Sequence, residues 1–324
     1  MKKLKIVIFF LALILIGFPY KSHSSGNSSY PFLLIAPSPK AGSMGEAFVA
    51  VAEGPETVFF NPSGLGFENE KHLYFPSLIP PFVEGIKYNN VVYVQPNSKG
   101  AWAVQGGMFH IGGFKKTVAD ASLSDGFREI ENFSTYDLKI SAAMGRKLNR
   151  QFAFGTTIAY LRESLSDQIN SAIAFDIGFL YASKINPVKI GFALQHLGFK
   201  INSSQSSDHL PYLLKAGISI RRLKNFGFTF IPENSLGTIE FFKPFESVGS
   251  LRSGIEVPLS KQFHLRSGYI YHLKKQGLGS TLSLPNGFSF GLGFFFSSWS
   301  LDYATASQGE LGLTHRIAVD LKWK

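Results

Sequence analysis

The chain has 324 residues, no cysteine and a formal net charge of +10. The missing thiol excludes disulfides, thiolate metal sites, thiol nucleophiles and a lipidated amino terminus. Hydrophobic residues make up 45% and phenylalanine equals glycine at 32 each, a mixture that suits strands better than helices.

In chain order, Lys2, Lys3 and Lys5 precede an apolar run from Ile6 to Phe18, followed by small polar residues around Ser22-His23-Ser24. This predicts a secretory signal peptide over residues 1–24, cleaved near Ser24. The run of about 13 residues falls short of the roughly 20 that a spanning helix needs, which argues against an uncleaved anchor. Cleavage removes four lysines and no acid, leaving 28 basic side chains against 22 acidic. The remaining basic pairs, Lys115-Lys116, Arg221-Arg222 and Lys274-Lys275, fall near expected turns. There they read as solvated charge or contacts to anionic headgroups, and no nucleic-acid partner is expected.

Residues 25–70 do not alternate. Gly42, Gly45, Gly54, Gly64 and Gly66 punctuate them, and Asn61-Pro62 reads as a turn or helix start. Phe48, Val49, Val51, Val58, Phe59 and Phe60 supply enough apolar surface to fold, so the segment reads as a plug or hatch rather than a disordered leader.

From residue 71 to 324 the dominant signal is period-two alternation. Tyr136, Leu138, Ile140, Ala142 and Met144 oppose Asp137, Lys139 and Ser141. Phe152, Phe154, Ile158 and Tyr160 oppose Ala153, Gly155, Thr157 and Ala159, and Phe288, Phe290, Leu292, Phe294 and Phe296 oppose Ser289, Gly291 and Gly293. Strands are expected over 71–77, 84–95, 100–112, 134–146, 151–162, 170–183, 187–197, 211–222, 225–231, 248–257, 262–273, 287–297, 298–304 and 312–323. A large apolar face fits the inside of a soluble sandwich or the outside of a membrane barrel.

Three features favour the barrel. Short connections (96–99, 147–150, 184–186, 223–224, 258–261) alternate with long ones (113–133, 163–169, 198–210, 232–247, 274–286, 305–311). Tyr160, Tyr181, Tyr269, Tyr271, Trp299, Tyr303 and Trp323 sit toward strand ends on the apolar face, as in interfacial girdles. The ending "LTHRIAVDLKWK" is a long, regular strand, which needs a partner; closure against the first strand provides one. The expected fold is all-β: about fourteen antiparallel strands in a transmembrane barrel with an N-terminal hatch, in a bacterial outer membrane.

The blocks "GSMGEAFVAVAEGPETVFFNPSGLG", "STYDLKISAAMGRKLNRQFAFGTTIAYLRESLSD", "IGFALQHLGFKI" and "GELGLTHRIAVDLKWK" occur in this order. From about Gly42 onward the chain resembles the PorV/PorQ family, relatives of the FadL fatty-acid transporter barrels. The resemblance implies a fourteen-stranded barrel whose hatch carries an Asn-Pro-(Ala/Ser)-Gly-Leu signature, here Asn61, Pro62, Ser63, Gly64 and Leu65, with Gly42 and Gly45 before it. Ser63 replaces the commoner alanine, and Glu46 stands where the family often has glycine, a departure expected to stiffen the turn. Some relatives are channels for hydrophobic compounds; others serve type-nine secretion and hold exported proteins.

Catalytic chemistry is not apparent. Gly287-Phe288-Ser289-Phe290-Gly291 matches a serine-hydrolase elbow in letters only, because it lies within an alternating strand with no helix after it. The eight histidines lack metal-ligand spacing; His264 and His272 share the lumen parity of one strand with Arg266. No cofactor or metal is expected. The same parity turns Arg252, Glu256, Arg266, Asp302, Arg316, Asp320 and Lys322 into the lumen, where charges must be paired or wet. They are expected either to clasp the hatch, through Glu46 or Glu53, or to pair among themselves. The first functional expectation is a passive conduit for hydrophobic small molecules, with lipid outside and a ligand in the lumen. The alternatives are a shuttle binding exported proteins or secretion components, through loops 113–133 and 232–247 with Phe241, Phe242 and Phe245, and a purely structural barrel.

Overall fold

Fourteen antiparallel strands close on themselves in the computed structural model: every strand pairs with its sequence neighbours, and the last pairs with the first. The strands are β1 Lys71–Ile79, β2 Ile86–Asn97, β3 Gly100–Ala119, β4 Phe127–Lys147, β5 Phe152–Leu165, β6 Gln168–Ala182, β7 Val188–Asn202, β8 Leu213–Arg221, β9 Leu236–Pro244, β10 Ser250–Pro258, β11 Phe263–His272, β12 Phe288–Phe295, β13 Trp299–Ser307 and β14 Leu313–Trp323. The structure describes residues 29–79, 85–123, 125–165, 168–184, 187–202, 209–227, 231–273, 287–308 and 312–324. The expected signal peptide, Lys274-Lys275 and the expected loop at 274–286 lie outside the described residues.

The alternation sorts the faces as large-out, small-in. Ile140, Met144, Ile158, Phe179, Phe290, Ile317 and Trp323 are exposed, while Ala143, Ala159, Ala174, Ala304 and Ala318 are buried. This inverts a soluble protein, where the large apolar residues would fill the core. The expected aromatics Tyr160, Tyr271, Trp299, Tyr303 and Trp323 are among the exposed ones. Closure removes the free edge: Trp323 lies opposite Lys71, and His315 opposite Ile79.

Three expectations need correction. The expected strand at 225–231 begins instead with a 3-10 helix, Leu223–Phe226, followed by Gly227 at φ 99°. The ninth strand lies at Leu236–Pro244, within the stretch read as a loop over 232–247. Its inward residues Leu236, Thr238, Glu240 and Phe242 and outward Gly237, Ile239 and Phe241 show no size contrast, so the period is hidden. The total stays at fourteen. The short-turn rule therefore has an exception, because the link from β8 to β9 is long. The expected loop at 113–133 is also mostly strand: β3 and β4 continue as a paired hairpin, with register shifts after Ile111 and Lys116.

The lumen is filled by residues 30–67. Short 3-10 helices at Pro31–Leu34 and Pro62–Phe67 and short α-helices at Pro39–Ser43 and Thr57–Phe60 alternate with turns. Met44, Phe48, Phe60 and Leu65 are fully buried and pack with Tyr74, Val92 and Ala318 of the wall. Glu68, Asn69 and Glu70 then lead into β1.

Candidate functional site

The hatch lies directly on the wall because the wall is glycine there. A Cβ on Gly145, Gly155, Gly178, Gly191, Gly254 or Gly268 would collide with hatch atoms of Leu65, Pro62, Asn61, Val49 or Met44. These inward positions belong to six different strands, so the contact runs around most of the lumen. The close approach is what requires glycine there.

Asn61 organises the middle of the hatch. Its backbone is extended and its Oδ1 accepts from Ser63 N–H (3.2 Å) and the Ser63 hydroxyl (2.6 Å). Its Nδ2 donates to Val49 O (2.8 Å) and to Phe179 O of β6 (3.2 Å). One amide thus caps the helix that Pro62 starts, ties two hatch turns together and fastens both to the wall. Ser63 contributes a hydroxyl bond of its own. Gly64 approaches Thr57 and Ala52, and Leu65 is fully buried.

Three carboxylates carry most of the polar fastening. Glu46 sits at φ 59°, directly after Gly45 at φ 63°, a conformation costly for a residue with a side chain. Its Oε1 meets Arg316 Nη2 at 2.8 Å and its Oε2 meets Arg252 Nη1 at 3.1 Å, both arginines being buried and Glu46 partly so. Gly42 leaves room for the Arg316 side chain. Glu53 meets Arg221 at 2.6 Å and Lys189 and Lys40 at 3.5 Å each. Burial works against the Glu53 carboxylate, but Lys40, Lys189 and Arg221 outweigh it and hold its pKa down at about 2. Burial likewise works to lower Lys40, yet Glu53, Glu256 and Glu56 leave it above its ordinary value. From the wall, Glu240 of β9 accepts from Phe48 and Val49 N–H at 2.8 Å each.

Of the remaining expected lumen charges, Arg266, Glu256 and Asp302 pair with one another. Arg266 binds Glu256 (2.7 Å) and Asp302, with Nδ1 of His264 3.6 Å from Glu256. Asp320 meets His72 of β1 at 2.9 Å. Lys322 lies opposite His72 in register. His272 faces the lumen with no metal-binding group around it among the described residues. Ser289, from the apparent hydrolase motif, donates to Ser43 O at 3.1 Å and accepts from Gly45 N–H. Sequence pattern alone places Arg221 at a turn, whereas it reaches Glu53, and it hides Glu240 and Phe242 in a strand without size contrast.

Cavities lie on both sides of the hatch. On the side of the β11–β12 connection a cavity of about 350 Å³ is lined by Leu34, Ile35, Leu78, Ile86, Phe109 and Ile270, with Glu46, Arg316 and His272 at its polar end. Beside the β6–β7 turn a cavity of about 170 Å³ is lined by Val51, Glu53, Val188, Arg221 and Leu236.

The sequence matches no known family description and no curated protein. Solved structures do match. The toluene transporter TbuX of Ralstonia pickettii aligns with TM-score 0.56 and 12% identity over 88% of this chain and 97% of that one. The monoaromatic hydrocarbon channel CymD gives 0.57 and 13% over 89% and 97%. The toluene transporter TodX of Pseudomonas putida gives 0.54 and 13% over 87% and 96%. The fold is theirs. The narrower PorV/PorQ resemblance has no counterpart among these structures.

Proposed function

We propose that this chain is an outer-membrane conduit for small hydrophobic molecules, exported by a signal peptide cleaved near Ser24. The observation that carries the reading is the mostly apolar 350 Å³ cavity on the hatch, inside a barrel whose outer face is apolar. Such an outer face suits hydrocarbon tails, and such a cavity is of ligand size. The shared fold of the hydrocarbon channels supports it. Ligand enters the cavity, rests against Leu34, Ile35 and Phe109, and passes when the hatch rearranges. Of the aromatics expected to form a surface for exported proteins, Phe241 and Phe242 lie in a wall strand and Phe242 turns inward under Arg252, 3.4 Å from its ring centre, which leaves only Phe245 of the three exposed beyond the strand.

The test is uptake of radiolabelled toluene and of a longer alkane by cells carrying the barrel. Ala306 lines the cavity, and Ala306→Trp fills it. Uptake above barrel-free cells, cut at least several-fold by this substitution, is expected. Equal uptake with and without the barrel overturns the reading.

A further inference from the structure

A second, much smaller lumen pocket of about 20 Å³ lies beyond the partition formed by Leu34, Ile35 and Glu46. That volume admits one water-sized species. Its lining includes Lys139 of β4, Lys215 of β8 and Arg252 of β10. Lys139 and Lys215 are 6% and 4% exposed, and neither ammonium has a hydrogen-bond or carboxylate partner among the described residues. Lys215 rests 4.7 Å from the Phe60 ring centre, and the Nε of Arg252 is buried without a partner.

Two of the carboxylates nearby are committed: Glu46 is shared by Arg252 and Arg316, and Asp176 takes the His196 N–H at 2.8 Å. Glu240 gives its Oε2 to two hatch N–H groups and keeps a buried Oε1 without a hydrogen-bond partner. Lys139, Lys215, Arg252 and Arg316 thus make four cations against three carboxylates, one positive charge in excess. A buried charge requires a counter-charge or neutralisation.

We propose that Lys139, Lys215 and the Arg252 Nε form a binding site for one compact monovalent anion of halide size. The ion balances the excess charge and pins the Phe59–Phe60 turn of the hatch to the wall. This site stands whether or not the lumen conducts, and uptake is no part of its test.

The full-length protein in detergent is crystallised from bromide, and its unfolding midpoint is compared in sodium bromide and sodium gluconate at equal ionic strength. An anomalous peak between Lys139 and Lys215, and a midpoint several degrees higher in bromide, are expected. Lys215→Met loses both, while Lys215→Arg keeps both. Should Lys215→Met fail to fold, Lys139→Met serves as the same test. No peak in the pocket, or peaks at exposed lysines alone, overturns the proposal, as does a midpoint equal in the two salts. Response to dodecanoate without response to bromide also overturns it, since the lysines would then serve an acid head group rather than a free ion.

Discussion

Glu46 and Glu53 fasten the same hatch to the same wall with the same chemistry, yet in different solvent. The Glu46 side chain is 12% exposed and its arginines 7% and 5%. The Glu53 side chain is 32% exposed, and its barrel partners Arg221 and Lys189 are 37% and 29% exposed. A dry cluster cannot lose one member cheaply, because the others stay buried and uncompensated. A wet cluster hands its charges to water and salt. The lesson is that the two ends of the hatch are unequally held, although a list of contacts would rank both clusters highly.

The largest expected effect tests the dry side. Glu46→Gln strands Arg252 and Arg316 and should cost about 3–5 kcal/mol. Urea unfolding in lipid vesicles measures it, and a loss under about 1 kcal/mol would erase the contrast. Glu56 is the informative third carboxylate, buried at 5% exposure with no ion pair among the described residues. Burial pushes its pKa up to about 7; Lys40 opposes this, and Asp302 and Asp320 add to it. A raised carboxyl favours folding while protonated, so its contribution is present below 4.5 and is lost as pH rises toward 7. Glu56→Gln should therefore abolish that loss, gaining up to about 3 kcal/mol above pH 7. A stability–pH curve unchanged by the substitution would contradict it.

A neutral contact sets the scale between them. Ser63→Ala removes the 2.6 Å bond to Asn61 and should cost about 1 kcal/mol at every pH. On the wet side, Arg221→Ala should cost at most about 1 kcal/mol, and raising salt should shrink the difference further. Acid also distinguishes the ends. The depressed Glu53 carboxyl stabilises above 4.5, and that contribution fades as pH falls through about 2, the slope opposite to that of Glu56.

The sequence carried the barrel plainly where large and small residues alternate, as in β4, β5 and β12, and the terminal strand announced its partner. It concealed β9, whose inward Glu240 and Phe242 are no smaller than outward Ile239 and Phe241. The neighbouring "FGFTF" had the contrast but opens on a turn at Gly227. The small face of the strands was legible; its reason was not, since only the folded hatch shows which glycines it touches. Arg252 and Arg316 could be turned inward by parity, but their common partner depends on a left-handed Glu46 that no local pattern specifies.

The hatch is leashed. Only Glu68, Asn69 and Glu70 separate its last helix from the first strand, and three residues reach roughly 10 Å at full stretch. Glu68 shortens even that, since its Oε1 holds the Asn69 and Glu70 N–H groups at 2.9 and 3.1 Å. The nine residues of β1 alone span roughly 30 Å. A cork on so short a string cannot be expelled to clear the bore. In the proposed conduit, a molecule passes a stopper that bends, unwinds or tilts in place while one end stays moored to the wall.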